Sequence, residues 1–356
     1  MEVIMRKLFT FVLLFLLLII GAYFILDEDI LSKEIVLFDS YEELPKLKSN
    51  QTTKEMKQLL KGDLFDFMNK TSEELSGQFG EPLRKDLTPY GYTWWVYTDE
   101  KTSLIQFGVA DEDDTVQTIF ATGEGIQSEP FTIGATYEEI EENFEFKNKV
   151  TYQSGLSFYT FLLNETDLEM TPLIKLSDDN FVQLYYDTFT NELSSIRILT
   201  GETLLKQRFY EMEYRGNLPE EPYLSEADWK EIEQGMEQQI FDLTNIYRHQ
   251  HGESPLIKDD QVAEVAYLHS KDMFDQNYFS HYSQDGSGLK ERLERKEVFY
   301  LSAGENIAAQ HTDAPAAVEG WLNSEGHREA MLNDSYTHLG VGVHRFYYTQ
   351  NFLLKP

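Results

Sequence analysis

The chain has 356 residues, with 62 Asp and Glu against 30 Lys and Arg and a formal net charge of −32; so acidic a balance excludes the basic patches by which proteins hold nucleic acids. It contains no cysteine, which excludes disulfides, thiol nucleophiles and Cys-ligated zinc and leaves burial to hold the molecule together. A hydrophobic content of 41%, with 14% aromatic residues, is ample for packed cores, and the length allows two domains with appendages.

At the N-terminus, Arg6 and Lys7 precede an apolar run over residues 8–26, followed by Asp27-Glu28-Asp29. Nineteen residues at a rise of about 1.5 Å give roughly 28 Å, close to the thickness of a hydrocarbon core. Basic residues before the run and acidic ones after it place residues 1–7 in the cytoplasm and the bulk outside the cell, with residues 8–26 as a single-pass membrane anchor. No A-x-A-like site follows a shorter run, so a retained anchor is favoured over the alternative, secretion after signal cleavage. Residues 27–55 are polar and read as a stalk.

Residues 56–214 read as two copies of one unit, a helix followed by an antiparallel meander. In the first copy, Thr71-Ser72-Glu73-Glu74 opens a helix, and strands are predicted at Trp94–Tyr97, Leu104–Val109 and Val116–Gly123. In the second, Thr136 opens the helix, and strands are predicted at Tyr159–Leu163, Phe181–Thr188 and Leu193–Gly201. The carboxylates here fall in turns and first helical turns, a solvated face with no catalytic pattern. This acidic surface is expected to act as a spacer or to dock a protein partner.

Residues 215–224, with Gly216, Pro219 and Pro222, form a linker to a C-terminal domain at 225–356. Ser225 and Asp228 make a capping box for a helix that buries Ile240, Leu243 and Tyr247. Further helices are predicted over Gln261–Met273, Ala314–Leu322 and from Gly326, with a strand at Gly304–Ala309 and a short terminal hairpin from Leu339. The fold class is α+β, with a C-terminal α-β-α sandwich beside the mixed middle domain.

All eight histidines lie in this last part of the chain. His281 in FSHYS, Glu305 in GENIA, and Glu325 with His327 in SEGHR form a candidate cluster of imidazoles and carboxylates suited to Zn²⁺, alternatively Ca²⁺ or Mg²⁺. His327 stands at a helix start, where the positive dipole end favours its neutral form. His269 falls on an apolar helical stripe and reads as a core histidine, whereas His249, His251 and His311 read as surface or loop residues. No G-x-S-x-G elbow and no H-E-x-x-H helix is present.

Taken in order, FSHYS, GENIA, WLNSEGHR and HLGVGV resemble the CAP or SCP superfamily (cysteine-rich secretory proteins, antigen 5 and pathogenesis-related proteins), in its cysteine-free bacterial branch. The resemblance covers roughly residues 236–356, and the preceding region resembles the acidic CAP-associated N-terminal domain of Gram-positive, membrane-anchored members. It implies a cleft lined by two histidines and two acids that in some members holds a divalent cation. His281, Glu305 and His327 match three of those positions, and Glu325 is the nearest match to the fourth, with Glu319 a weaker one.

Three functions are compatible with these residues. The first is a non-catalytic envelope module binding a cation or an envelope, lipid or peptide ligand. The second is a metal-dependent hydrolase of peptide or cell-wall material, with Glu305 or Glu325 as base. The third is a structural or adhesive envelope protein with a vestigial cleft.

Overall fold

The computed structural model describes residues 63–356; the apolar run 8–26, the stalk 27–55 and residues 56–62 lie outside the described residues. Among the described residues no helix is long and apolar enough to cross a membrane.

The two predicted caps form as written in the sequence. After the single turn α1 (Asp63–Asp66), Thr71 accepts the Glu74 N–H while the Glu74 carboxylate accepts the Thr71 N–H, opening α2 (Ser72–Phe79). Thr136 and Glu139 do the same for α3 (Tyr137–Glu141). Between these helices lie β1 (Arg84–Leu87), β2 (Tyr92–Thr98), β3 (Ser103–Ala110) and β4 (Val116–Gly123), an antiparallel meander.

The second copy departs from expectation. Its first predicted strand becomes β6 (Ser157–Leu162), which pairs with β5 (Lys149–Ser154) in a separate sheet. Helix α4 (Glu165–Met170), capped by Asn164, then intervenes, and the three-residue β7 (Leu173–Lys175) leads into β8 (Asn180–Asp187) and β9 (Glu192–Thr200). After α5 (Gly201–Gln207), β10 (Glu211–Arg215) completes the small sheet on the free edge of β6. The large sheet runs β1-β2-β3-β4-β9-β8-β7, so a four-stranded half and a three-stranded half meet in mirrored order at β4 and β9.

Both faces of that sheet are buried, and the period of two assigns each residue its side. Trp95, Phe107, Ile119 and Ile198 pack under α2 and α3 with Leu75 and Ile140. Trp94, Phe120 and Tyr185 point the other way and share one core with the C-terminal region.

That region begins with α6 (Glu226–Gln250), whose capping box pairs Ser225 with Asp228. It continues through β11 (Ile257–Lys258), α7 (Asp260–Gln276), α8 (Leu289–Arg295), β12 (Ser302–Ala309), α9 (Ala314–Leu322), α10 (Glu325–Met331), β13 (His338–His344) and β14 (Tyr347–Leu354). The sheet order is β11-β13-β14-β12. On one face Leu339, Val341 and Val343 meet Ile240, Leu243, Val318 and Trp321 of α6 and α9. On the other, Gly340 and Gly342 lie directly against the α7 backbone. The result is the expected α-β-α sandwich. The terminal hairpin keeps its full ladder, from His338↔Leu353 to His344↔Tyr347, because two residues make the turn and Arg345 adopts a left-handed φ of 56°.

Candidate functional site

The site is built on β12, an edge strand, and alternation along it sets the roles of two neighbours. Asn306 is fully buried, and its Nδ2 donates to the His327 carbonyl at 2.9 Å and to Gln350 Oε1 at 3.2 Å. This bond ties the start of α10 to the sheet. Glu305 has the opposite orientation along the strand. Its Oε1 lies 2.9 Å from His281 Nδ1 and its Oε2 accepts from Arg292 Nη2 at 2.5 Å.

Burial pushes the Glu305 carboxyl up, but the His281 hydrogen bond and the Arg292 charge outweigh it and hold the group below the usual glutamate range. A carboxylate only accepts, so His281 Nδ1 carries the proton of this bond. Arg292 also donates to the His281 carbonyl at 2.9 Å and thereby fixes the FSHYS loop against α8. His269 stands beside this pair and donates from Nε2 to the Ser280 carbonyl at 3.1 Å. Burial first, then the Arg292 charge, lowers its pKa to about 4.

His327, half-buried in α10, has Nδ1 within 2.9 Å of Ser324 Oγ. Its pKa is lowered by burial and secondly by the charge of His281, so the ring is neutral at pH 7 and shares its surroundings with His281. A cavity of about 440 Å³ is lined by Arg292 together with Leu268, His269, Asp272, Asp285 and Arg295, among others.

The structure thus brings His281, Glu305 and His327 toward one locale and leaves the two candidate second acids out of it. Glu325 is exposed in the first turn of α10. Glu319 is 2% exposed and faces the middle region, accepting from Ser194 Oγ at 2.8 Å and from the Ser195 hydroxyl there, and from the Tyr247 hydroxyl of α6. Burial raises its pKa against those donors.

This donor set decides how well a divalent cation fits. Both oxygens of Glu305 are engaged, and Arg292 already balances its charge. Among the described residues no three His, Asp or Glu side chains form a group that could hold a metal ion. Two imidazole Nε2 atoms remain, half of the protein ligands of a closed tetrahedral zinc site. The residues do not fit the four-ligand centre expected from His281, Glu305, His327 and Glu325.

Sequence reasoning missed Arg292 and His251. The sequence reading assigns no element to α8, although Leu289, Arg292 and Leu293 fall at helical spacing and the Gly288 N–H is capped by Glu291. His251 follows the end of α6 and looks like a loop residue, yet its Nε2 lies 3.3 Å from the buried Asp187 of β8. Only the tertiary contact reveals that role.

Two family models match the chain: a CAP-associated N-terminal model over residues 68–210 and a cysteine-rich secretory protein (CAP) model over 241–354. The chain is 44% identical over 330 residues, 90% of its own length and 94% of the relative's, to the "uncharacterized membrane protein YlbC" of Bacillus subtilis (strain 168). It is also 39% identical over 106 residues, 30% of its length and 41% of the relative's, to the "uncharacterized protein YkwD" of the same organism. Among solved structures, an extracellular protein containing a SCP domain from Bacillus anthracis str. Ames superposes with a TM-score of 0.78 at 43% identity, over 82% of this chain and 95% of that one. A cysteine-rich secretory protein from Staphylococcus aureus subsp. aureus Mu50 does so at 0.73 and 26% identity, over 83% and 97%. With the fold, the motifs and the full-length relative in agreement, the chain belongs to the CAP, or cysteine-rich secretory protein, family, and carries a CAP-associated N-terminal domain ahead of its CAP domain.

Proposed function

We propose that this CAP-family chain is a non-catalytic ligand-binding module of the cell envelope, anchored by residues 8–26 with its CAP domain outside the cell. The relative named a membrane protein and the solved extracellular SCP-domain protein support the location. The observation that carries the binding role is the Arg292–Glu305–His281 arrangement, which fixes one half-exposed imidazole near a second, His327, that burial keeps neutral. Paired imidazoles can ligate Zn²⁺ or hydrogen-bond an envelope ligand. Ca²⁺ and Mg²⁺ prefer oxygen ligands and are expected to bind more weakly here. Calorimetric titration of the full chain with Zn²⁺ reads the pair directly: with two imidazoles and no carboxylate free to join them, only weak binding is expected in the parent, and its loss in both His281→Ala and His327→Ala. Equal binding by all three proteins would remove the imidazole pair from the site.

The same carboxylate–imidazole hydrogen bond is also the geometry of a general base, which is the one observation favouring hydrolysis. Against it, the neighbouring Ser280 Oγ accepts the Tyr282 N–H. Assays on casein and purified cell wall decide between the two. Turnover by the parent that the double His281→Ala/His327→Ala variant lacks would establish the hydrolase.

A further inference from the structure

His327 is carried by a seven-residue helix in which only Met331 is buried. Such a helix is far below the length that is stable alone, so its placement depends on what holds its ends. The chain reaches it from α9 through two residues, Asn323 and Ser324, and Ser324 Oγ is itself in contact with the His327 ring. Asn323 is gripped from the N-terminal domain. Its Oδ1 accepts from the Thr188 N–H and hydroxyl, each at 2.8 Å, and its Nδ2 donates to the Tyr186 carbonyl at 2.9 Å.

The residue on the other side of His327 is held by the same segment. Arg328 Nη2 lies 2.8 Å from Asp187 Oδ2, and its guanidinium sits 4.7 Å above the Phe189 ring. Its Nη1 donates to the Leu322 carbonyl at 3.0 Å, closing the α9–α10 corner from within. His251 completes the clamp: its Nδ1 meets the Tyr247 carbonyl at 2.8 Å, and its Nε2 lies 2.8 Å from Arg328 Nη2 and 3.3 Å from Asp187 Oδ2.

We infer that the N-terminal domain is a positioning element of the CAP cleft: the β8–β9 turn, through Asp187, Thr188 and Phe189, grips Asn323 and Arg328 and so sets the placement of His327 relative to His281. An interface that merely joined two domains has no need to converge on the residues flanking one site histidine. The inference rests on the proposed function for the meaning of His327, but not for its test.

In the full chain, the imidazole proton resonances of His281 and His327 are assigned with the two alanine variants and then followed in Asp187→Asn and Phe189→Ala. Phe158→Ala serves as control, because Phe158 is as exposed as Phe189, 51% against 52%, and lies on β6 in the small sheet. The His327 signals are expected to move and broaden in both turn variants while those of His281 and the control stay in place. Unchanged His327 signals in Phe189→Ala overturn the inference, and that variant alone suffices if Asp187→Asn does not fold. A parent that binds no Zn²⁺ sinks the proposed function instead and leaves the resonance test standing.

Discussion

His269 shows how one residue couples the core to acidity. It lies on the apolar face of α7 with 1% of its surface exposed, and burial together with the Arg292 charge drops its pKa to about 4. In the unfolded chain the ring takes up its proton near pH 6.5, and in the folded protein only near 4. Its stabilising contribution is therefore complete above about pH 6.5 and is lost as the pH falls toward 4. A gap of this size amounts to about 3 kcal/mol. Urea unfolding of the parent and of His269→Gln at pH 7 and pH 4 isolates this term from other titrating groups. The parent's advantage should shrink by about 3 kcal/mol on acidification, and a difference that ignores pH would show that the ring is not buried neutral. At this scale the sequence was informative where chemistry is local to a motif: the proximity of His281, Glu305 and His327 and the burial of His269 were legible, their binding role was not. Arg292, His251 and the buried Glu319 were not, because their partners lie on other elements and no spacing rule connects them.

Among the elements, the packing of α7 on β13 depends on the absence of side chains. A Cβ built at Gly342 would stand 1.9 Å from Tyr267 N and 2.3 Å from Ala266 C, which are backbone atoms of α7 that no rotamer change can move. Gly342→Ala must then lift the helix from the sheet, at a cost of at least 1–3 kcal/mol typical of overpacking and about the upper end of it here. Gly326→Ala meets nothing within 4 Å and fills an exposed helical position in α10. It should stabilise by about 0.4–1 kcal/mol. Thermal melts of the two variants would show opposite shifts, and a neutral Gly342→Ala would mean that helix and sheet are not in backbone contact. The glycine pattern HLGVGV, the capping boxes and the strand alternation were readable because each is a local signal. The displacement of β6 into its own sheet was not. Its Tyr159 and Phe161 alternate correctly for either sheet, and only the insertion of α4 and pairing with β10 choose between them.

Across the whole molecule, the two family domains are welded rather than tethered. One hydrophobic cluster runs from Trp94, Phe120 and Tyr185 of the N-terminal domain into Ile240, Tyr247 and Trp321 of the CAP domain. Within the same boundary Arg197, with no exposed side-chain surface, grips Asp313 through two bonds of 2.7 and 3.0 Å. Asp313 at the same time caps α9 by accepting the Ala316 N–H, so the ion pair also fixes the helix that leads to Asn323 and the His327 corner. The linker composition at 215–224 pointed to two bodies, but linker residues describe only how the chain passes between them, while the buried faces of Trp94 and Trp321 determine whether they separate. A shared core of this kind predicts a single cooperative transition. Scanning calorimetry of the full chain should give one peak in which calorimetric and van't Hoff enthalpies agree. Arg197→Met leaves Asp313 buried without its cation and should cost about 3–5 kcal/mol. Because the two partners belong to different domains, that loss should lower the one transition as a unit. Two separate peaks in the parent, or a shifted peak beside an unshifted one in Arg197→Met, would show that the domains fold independently and that the N-terminal domain cannot hold the cleft in shape.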